Sequence, residues 1–297
     1  MSRSYGIDIK GETVVTKIRR IPTQGEVLVR KGDLVGSETI LARGTVINPD
    51  VREVKVFVQL GVDPEQVIRY MLKEEGDEVK RDEAIAIHRS FFGRSTKICR
   101  SPIDGTIEGL STVSGRALIR GSPILVEVKA HIPGSVAEII PGEGAVIESK
   151  ASLIQGVFGI GGETHGELAM AVGAPGEALT SDEVVEGDRG KILVGGSLVT
   201  LEALRKARKL GMRGIISGSV DQKDLTEFIG HEIGMGITGE EDVGLTLILT
   251  EGFGIHPMEE GTFKLLKTFE GKPASIDGST QIRSRMLRPE IIIPQST

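Results

Sequence analysis

The chain has 297 residues, a length that favours about two domains, and its 39% apolar and 26% charged residues exclude a disordered composition. Aromatic residues make up only 3% and Trp is absent, so the cores must be built from aliphatic side chains. The formal net charge of -6 argues against nucleic acid as a partner, because duplex binding requires a basic surface.

The first residues, Met1 to Lys10, contain no apolar segment of signal-peptide length. No apolar run approaches the ~18 residues that a membrane-spanning helix needs. Cys99 is the one cysteine, so there is no internal disulfide, which suits a reducing compartment. We therefore expect a soluble cytoplasmic protein with no membrane partner.

The N-terminal half repeats two short patterns. Gly-Asp-x-Val occurs at Gly32 and again at Gly76, and each copy predicts a tight turn between short strands. SPIDGTIEGL (101–110) and IPGSVAEII (132–140) share a proline, a glycine and then alternating apolar residues. The alternation predicts half-buried strands, and the proline suits a strand start because it cannot donate a ladder hydrogen bond.

One helix is predicted in this half, from an N-cap at Asp63 and a proline at the first helical position to an end near Lys73. Its buried stripe would consist of Val67, Ile68, Met71 and Leu72.

The segment KEEGDEVKRDEAIAIH (73–88), a 12-residue excursion and SPIDGTIEGL together resemble the barrel-sandwich hybrid fold. That fold includes biotin- and lipoyl-carrier domains and a domain found in the Rnf-type electron-transport complex. The resemblance covers about residues 70–130, with a weaker echo at 25–45. It implies an all-β barrel-sandwich-hybrid-like domain, which we expect to extend over residues 1–175.

Carrier domains hold the modified lysine at a hairpin tip, and the matching position here is Arg94, with Lys97 three residues away. Because arginine cannot form the amide that attaches biotin or lipoate, we expect no covalent biotin or lipoate. The tip, residues 91–94, is either a hairpin turn with one Phe packed beneath it or an exposed apolar tip that docks a partner.

Glycines are dense between residues 156 and 166, but their spacing fits neither the dinucleotide fingerprint nor a P-loop. Glu163 and His165 are the candidate catalytic residues, as an acid–base pair. They could also be two metal ligands, but no third ligand follows at useful spacing, so we expect no metal. The alternative is a glycine-permitted turn that closes the β domain.

A Pro- and Gly-rich connection at 173–190 leads into an α/β domain predicted over residues 190–297. Short β-branched runs alternate with amphipathic helices that begin near Thr200, Asp221 and Pro257. Continuous apolar runs are typical of strands buried on both faces, so the pattern predicts a mostly parallel sheet. The last two strands are predicted at 274–276 and 291–293.

The loops after these strands share small polar residues, and in a parallel sheet they would emerge at one edge, where glycine amides and hydroxyls suit a small anion. The predicted ligand-binding residues are Gly195, Gly196, Ser197, Ser217, Gly218, Ser219, Thr250, Glu251, Gly252 and, with Arg285 and Arg288 nearby, Arg283; a fourth such loop is residues 277–280. The alternative is that these are ordinary loop, cap and surface residues.

These features favour a non-catalytic binding or assembly protein that has a small-anion site in the α/β domain and docks a protein partner or a second copy. The alternative is an enzyme whose active site lies where residues 156–167 meet the carboxyl edge of the C-terminal sheet. Convergence of Glu163, His165, Glu251 and the arginines in one cleft would favour the enzyme. The sequence identifies no cofactor.

Overall fold

The computed structural model describes residues 9–89, 95–231, 239, 241–280 and 288–295. The described part is rich in strands and has few helices. The helices are α1 (Val56–Leu60), α2 (Leu201–Leu210), α3 (Gln222–Ile229) and α4 (Glu260–Thr268), with 3-10 turns at Pro64–Tyr70 and Glu186–Asp188. The strands, in chain order, are β1 (Ile9–Arg20), β2 (Gly25–Val27), β3 (Leu34–Val35), β4 (Ile40–Val46), β5 (Val51–Val54), β6 (Glu78–Val79), β7 (Ala84–Arg89), β8 (Thr96–Arg100), β9 (Gly105–Ser111), β10 (Arg116–Gly121), β11 (Ile124–Lys129), β12 (Gly134–Ile140), β13 (Gly144–Gln155), β14 (Phe158–Ile160), β15 (Glu163–Met170), β16 (Ile192–Val194), β17 (Leu198–Val199), β18 (Gly214–Val220), β19 (Thr246–Phe253), β20 (Pro273–Asp277) and β21 (Glu290–Pro294).

The chain divides into two compact units, each built from separate segments. The first unit consists of Met1–Arg20, Val27–Ala42 and Val128–Thr297, and the second consists of Ile21–Glu26 and Arg43–Glu127. This division differs from the predicted boundary between residues 175 and 190. The reason is strand pairing: β15 lies before that boundary and pairs with β16 beyond it, so both sides belong to one sheet.

In the second unit, β5, β10, β9 and β6 form a four-stranded sheet, and β7 pairs with β8. The predicted helix at 63–73 is a 3-10 segment, Pro64–Tyr70, in which Val67 is buried. Ile68 and Leu72 are 49% and 55% exposed, so the predicted buried stripe is wrong for these two residues. The predicted N-cap is also wrong, because the Asp63 side chain accepts no capping hydrogen bond.

Cys99 is fully buried in the core of the second unit, among aliphatic side chains such as Ile85 and Ile107. Burial raises the pKa of its thiol to about 11, so the reactive thiolate is disfavoured. Both observations suit a structural role for this cysteine.

The two sequence repeats fold alike, one copy in each unit. In the first unit, the Gly32 N–H donates to the Val136 carbonyl at 2.8 Å, and the Val136 N–H donates to the Asp33 carbonyl at 2.9 Å. In the second unit, Gly76, Ile107 and Asp77 make the same pair of bonds, at 2.8 and 3.0 Å. Gly32 and Gly76 have φ of 91° and 93°, a conformation that favours glycine, which explains why the Gly-Asp turn recurs.

The first unit contains a mixed sheet in which β15, β16, β18 and β19 are parallel neighbours. Helices α2 and α3 pack on one face of these strands and α4 packs on the other. The predicted caps of α2 are confirmed, because the Thr200 side chain accepts from the Ala203 N–H and Gly211 adopts the left-handed conformation. The sheet thus has the layered α/β arrangement expected from its apolar runs.

The last two strands depart from the predicted parallel pattern. Strand β20 runs antiparallel to β15 and to β21, and β21 runs antiparallel to β13. Beyond them the sheet continues through β12 to β3, and β1 pairs with the other edge of β13. A short apolar run records burial of both faces and not strand direction, so the sequence pattern could not distinguish these two strands from the others.

Candidate functional site

Three of the four predicted loops meet at the carboxyl edge of the parallel strands. Ser219 pairs with Gly252 on one side and with Leu198, next to Ser197, on the other. The fourth loop, residues 277–280, lies at the opposite edge because β20 runs the other way, and the Gly278 N–H donates to the Gly162 carbonyl at 2.8 Å. The expectation that all four loops share one edge is therefore wrong for the fourth.

Several polar groups at the carboxyl edge bond to the protein itself, although the buried Ser217 hydroxyl has no hydrogen-bond partner among the described residues. The Ser219 Oγ lies 2.7 Å from the Ser197 carbonyl oxygen and accepts from the His256 N–H at 3.0 Å. The Ser197 hydroxyl donates to the Gly176 carbonyl at 3.0 Å, and a Glu251 carboxylate oxygen accepts from the Glu259 N–H at 3.1 Å.

The two central glycines of this edge are enclosed by backbone. A side chain on Gly196 would collide with the backbone of residues 174–177, and one on Gly218 would collide with the backbone around His256. Ser217 and Thr250 are buried, with the Thr250 hydroxyl 3.5 Å from the Ser217 carbonyl oxygen. Glycine is needed here for close packing of the chain on itself, which leaves few donors for the predicted anion. Arg283 and Arg285 lie outside the described residues.

Glu163, one of the two candidate catalytic residues, lies at the amino edge of the same sheet and is held in a bidentate ion pair. Its two carboxylate oxygens are each 2.6 Å from a guanidinium nitrogen of Arg19, a residue 144 positions earlier in the chain. The side chains of Arg19 and Glu163 are only 12% and 13% exposed. Glu251 lies at the carboxyl edge, so Glu163 and Glu251 do not converge in one cleft, the arrangement that would have favoured an enzyme.

His165, two residues along β15, faces a second ion pair. Its Nε2 lies 2.9 Å from the Glu38 carboxylate, which is also 2.6 Å from the Lys129 ammonium. The hydrogen bond from Lys129 lowers the pKa of Glu38, so this carboxylate is charged and the Nε2 must carry the proton it donates. The Nδ1 of His165 is buried with no hydrogen-bond partner among the described residues.

A second imidazole, that of His131, lies edge-on to His165 with the ring centres 6.4 Å apart. Its Nδ1 is also buried without a hydrogen-bond partner in the described part of the chain. Burial lowers the pKa of His131, as do Arg19, His165 and Lys129, while Glu163 opposes the shift. His131 is therefore neutral in the folded protein at neutral pH.

We predict that this neutral histidine makes the protein sensitive to mild acid. The unfolded chain protonates His131 near the ordinary value of about 6.5, whereas the folded chain does so only at lower pH. The free energy of unfolding thus has its full value, as far as His131 is concerned, above about pH 6.5. It falls as the pH drops through that value toward the folded-state pKa. Thermal unfolding between pH 8 and pH 5 should show a shallower acid-side loss in His131→Asn than in the wild type.

Asparagine is the appropriate replacement because His131 has a φ of 58°, which asparagine tolerates better than alanine does. Identical pH profiles for the two proteins would show that His131 does not contribute.

Lys17 completes what we call the amino-edge cluster. Its ammonium is 2.6 Å from Glu290 and 3.7 Å from Asp277, and all three side chains are less than a quarter exposed. The cluster consists of Lys17, Arg19, Glu38, Lys129, His131, Glu163, His165, Asp277 and Glu290. Only Glu163 and His165 of this cluster were among the predicted site residues. The sequence carries no signal for Lys17 and Arg19, because the apolar Ile18 between them would predict that the two charges face outward.

A cleft of about 480 Å³ lies beside this cluster, with Glu163 and Thr164 on one wall. Its other walls include Arg189 and Arg213, the backbone of Gly190, Gly211 and Gly244, and Asp242. Neither arginine side chain has an ion pair or hydrogen bond among the described residues, although Arg213 contributes to lowering the pKa of Glu38, after Lys129 and His165. Neither arginine was among the predicted site residues.

Within the described residues, no group of three or more His, Cys, Asp or Glu side chains could hold a metal ion. In the same part of the chain, no helix has the length and apolar character needed to cross a membrane. No protein-family model and no curated protein matches the sequence, and no solved structure matches the fold.

Proposed function

We propose that the protein is a non-catalytic binding protein that accepts a small anion in the cleft at the amino edge of the sheet. The observation that carries this proposal is the pair of arginines, Arg189 and Arg213, which line the cleft without an acidic partner among the described residues. Guanidinium groups bind phosphate and carboxylate through paired hydrogen bonds, and an unpaired guanidinium keeps those donors available.

The rest of the cleft supports an anion over a cation. The Glu163 carboxylate on the wall is already neutralised by Arg19, and one oxygen of Asp242 accepts from the Gly244 N–H at 3.1 Å. Among the described residues, two cations without an acidic partner therefore face one carboxylate without a cationic partner. The volume of about 480 Å³ lies within the range typical of small-molecule sites.

The ion pairs of the cluster favour binding over the enzyme alternative. A carboxylate that acts as a general base must be free to take a proton, but Glu163 is held by Arg19 and Glu38 is held by Lys129. The opposite placement of Glu163 and Glu251 also lacks the convergence that would have favoured the enzyme hypothesis.

For the second unit we propose a barrel-sandwich-hybrid fold without an attached biotin or lipoate, supported by the Gly-Asp turn that pairs with the strand of the SPIDGTIEGL segment.

The proposal predicts that Arg189→Ala and Arg213→Ala each weaken anion binding by about 10- to 100-fold, because each removes charge-assisted hydrogen bonds of about 1.5–3 kcal/mol. Isothermal titration of the purified protein with inorganic phosphate, sulfate and citrate measures this. Arg205→Ala is the matched control, since Arg205 is exposed on α2 and pairs with Glu227. The absence of binding by any of the three anions, or equal affinity in all four proteins, would contradict the proposal.

A further inference from the structure

Strand β1 has one paired edge and one open edge. It pairs with β13 in regular antiparallel register from Thr13 to Arg20, after a bulge between Lys10 and Thr13. Among the described residues, no strand pairs with the other edge of β1. A long edge strand offers a row of unpaired N–H and C=O groups, which natural proteins cover or protect.

The outward face of β1 is apolar at its centre. Val14 and Ile18 are 57% and 61% exposed, whereas Val15 between them is 6% exposed and packs in the core of the first unit. Thr16 lies between the two exposed apolar residues on the same face, and Arg20 follows Ile18. An edge strand that also exposes apolar side chains is suited to pairing with another strand.

The order of residues along β1 is complementary to itself. Two copies of a strand related by a two-fold axis pair antiparallel, and opposed residues must face the same side of the sheet. An axis through Thr16 places Val14 opposite Ile18 of the second copy and Glu12, which lies in the bulge, opposite Arg20. Apolar residues then meet apolar residues and a carboxylate meets a guanidinium, and both matches occur twice by symmetry.

The neighbouring registers lack this match. An axis through Val15 would place Glu12 opposite Ile18 of the second copy. An axis through Lys17 would place the two lysines opposite each other and Val14 opposite Arg20, although Lys17 is already engaged with Glu290. Within the described part of its own chain, Arg20 makes one long ionic contact, 3.5 Å from Nε to the Glu143 carboxylate, and its side chain is 56% exposed.

We propose that two copies of this chain associate through β1, as an antiparallel strand pair with its two-fold axis at Thr16. The pairing joins two sheets into one continuous sheet and removes the open edge from both. It is independent of the anion site, because none of its residues lines the cleft. An interface of one strand from each copy is small, so the dimer should dissociate on dilution.

A charge exchange tests the register. Glu12→Arg places an arginine opposite Arg20 of the second copy, and Arg20→Glu places a glutamate opposite Glu12 of the second copy. Each variant should therefore shift the protein toward monomer, as measured by sedimentation velocity over a concentration series. The double variant restores the opposite charges and should recover the dimer. Glu270→Arg, an exposed charge reversal on another surface, should leave the dimer unchanged. A wild-type protein that is monomeric at all concentrations, or single variants that dimerise as the wild type does, would overturn the proposal.

Cysteine crosslinking locates the axis independently. Thr16→Cys should form a covalent dimer on mild oxidation, because opposed residues in an antiparallel pair have Cα atoms about 4.5–5.5 Å apart, within disulfide range. Val14→Cys is the matched control, since its own counterpart would lie four residues along the pair, about 13 Å away. The buried Cys99 should not react. Equal crosslinking of both variants, or of neither, would exclude the Thr16 axis.

Discussion

Replacing Glu163 with leucine should lower the free energy of unfolding by about 3 kcal/mol, because it leaves the Arg19 guanidinium buried without an anion. Arg19 is 12% exposed and its two terminal nitrogens both bond to Glu163, so solvent can replace little of what is lost. Urea unfolding of the wild type and of Glu163→Leu, followed by circular dichroism, measures the difference from the two midpoints.

The double variant Arg19→Leu with Glu163→Leu should recover most of this loss, because an apolar pair in place of a buried ion pair is often neutral. A residual loss of about 1 kcal/mol is expected, since the Arg19 Nε also donates to the Ala130 carbonyl at 3.1 Å. The matched control is Glu53→Leu, whose partner Arg116 is 41% exposed and whose loss should be below about 1 kcal/mol. Equal losses for Glu53→Leu and Glu163→Leu would show that burial does not set the cost.

The elements that the sequence predicted well are those specified by local chemistry. Helix α2 has its cap at Thr200 and its left-handed glycine at Gly211, both within one turn of the helix they delimit. The Gly-Asp turns are equally local, since Asp33 and Asp77 each accept a hydrogen bond from the backbone three residues earlier. Such signals involve neighbouring residues and do not depend on the rest of the fold.

The pairing of distant segments could not be predicted in the same way. Glu163 and His165 were identified as chemically notable, but their partners Arg19 and Glu38 are more than a hundred residues away. Arg19 comes from β1 and Glu38 from the turn between β3 and β4, so both contacts form only when these segments meet β15 in the fold. The direction of β20 was likewise not encoded in its apolar run, and it decides which edge receives residues 277–280. The anion site that we propose at the amino edge has a different basis, since it depends on Arg189 and Arg213 and not on residues 277–280.

The two glycines of the predicted turn before Glu163 should differ in how much stability is lost when each is replaced by alanine. Gly161→Ala should lower the free energy of unfolding by about 3 kcal/mol, whereas Gly162→Ala should lower it by about 1 kcal/mol. Both glycines have positive φ, 93° and 68°, so both substitutions strain the backbone. A Cβ on Gly161 would in addition collide with the Leu245 carbonyl oxygen and lie 2.8 Å from the Thr246 Cα, while one on Gly162 would meet nothing within 4 Å.

The difference between the two variants combines two costs: the collision at residue 161, and the greater backbone strain of alanine at φ 93° than at φ 68°, which lies within the ordinary left-handed region. The obstructing atoms belong to the backbone at the start of β19, which is fixed by its parallel pairing with β18 and cannot move aside as a flexible side chain can. The Thr246 hydroxyl, 3.0 Å from the Gly161 carbonyl oxygen, holds the two segments together at the same point. Urea unfolding of both variants measures the two losses in the free energy of unfolding. Equal losses would mean that backbone conformation, and not close approach to β19, requires glycine at residue 161.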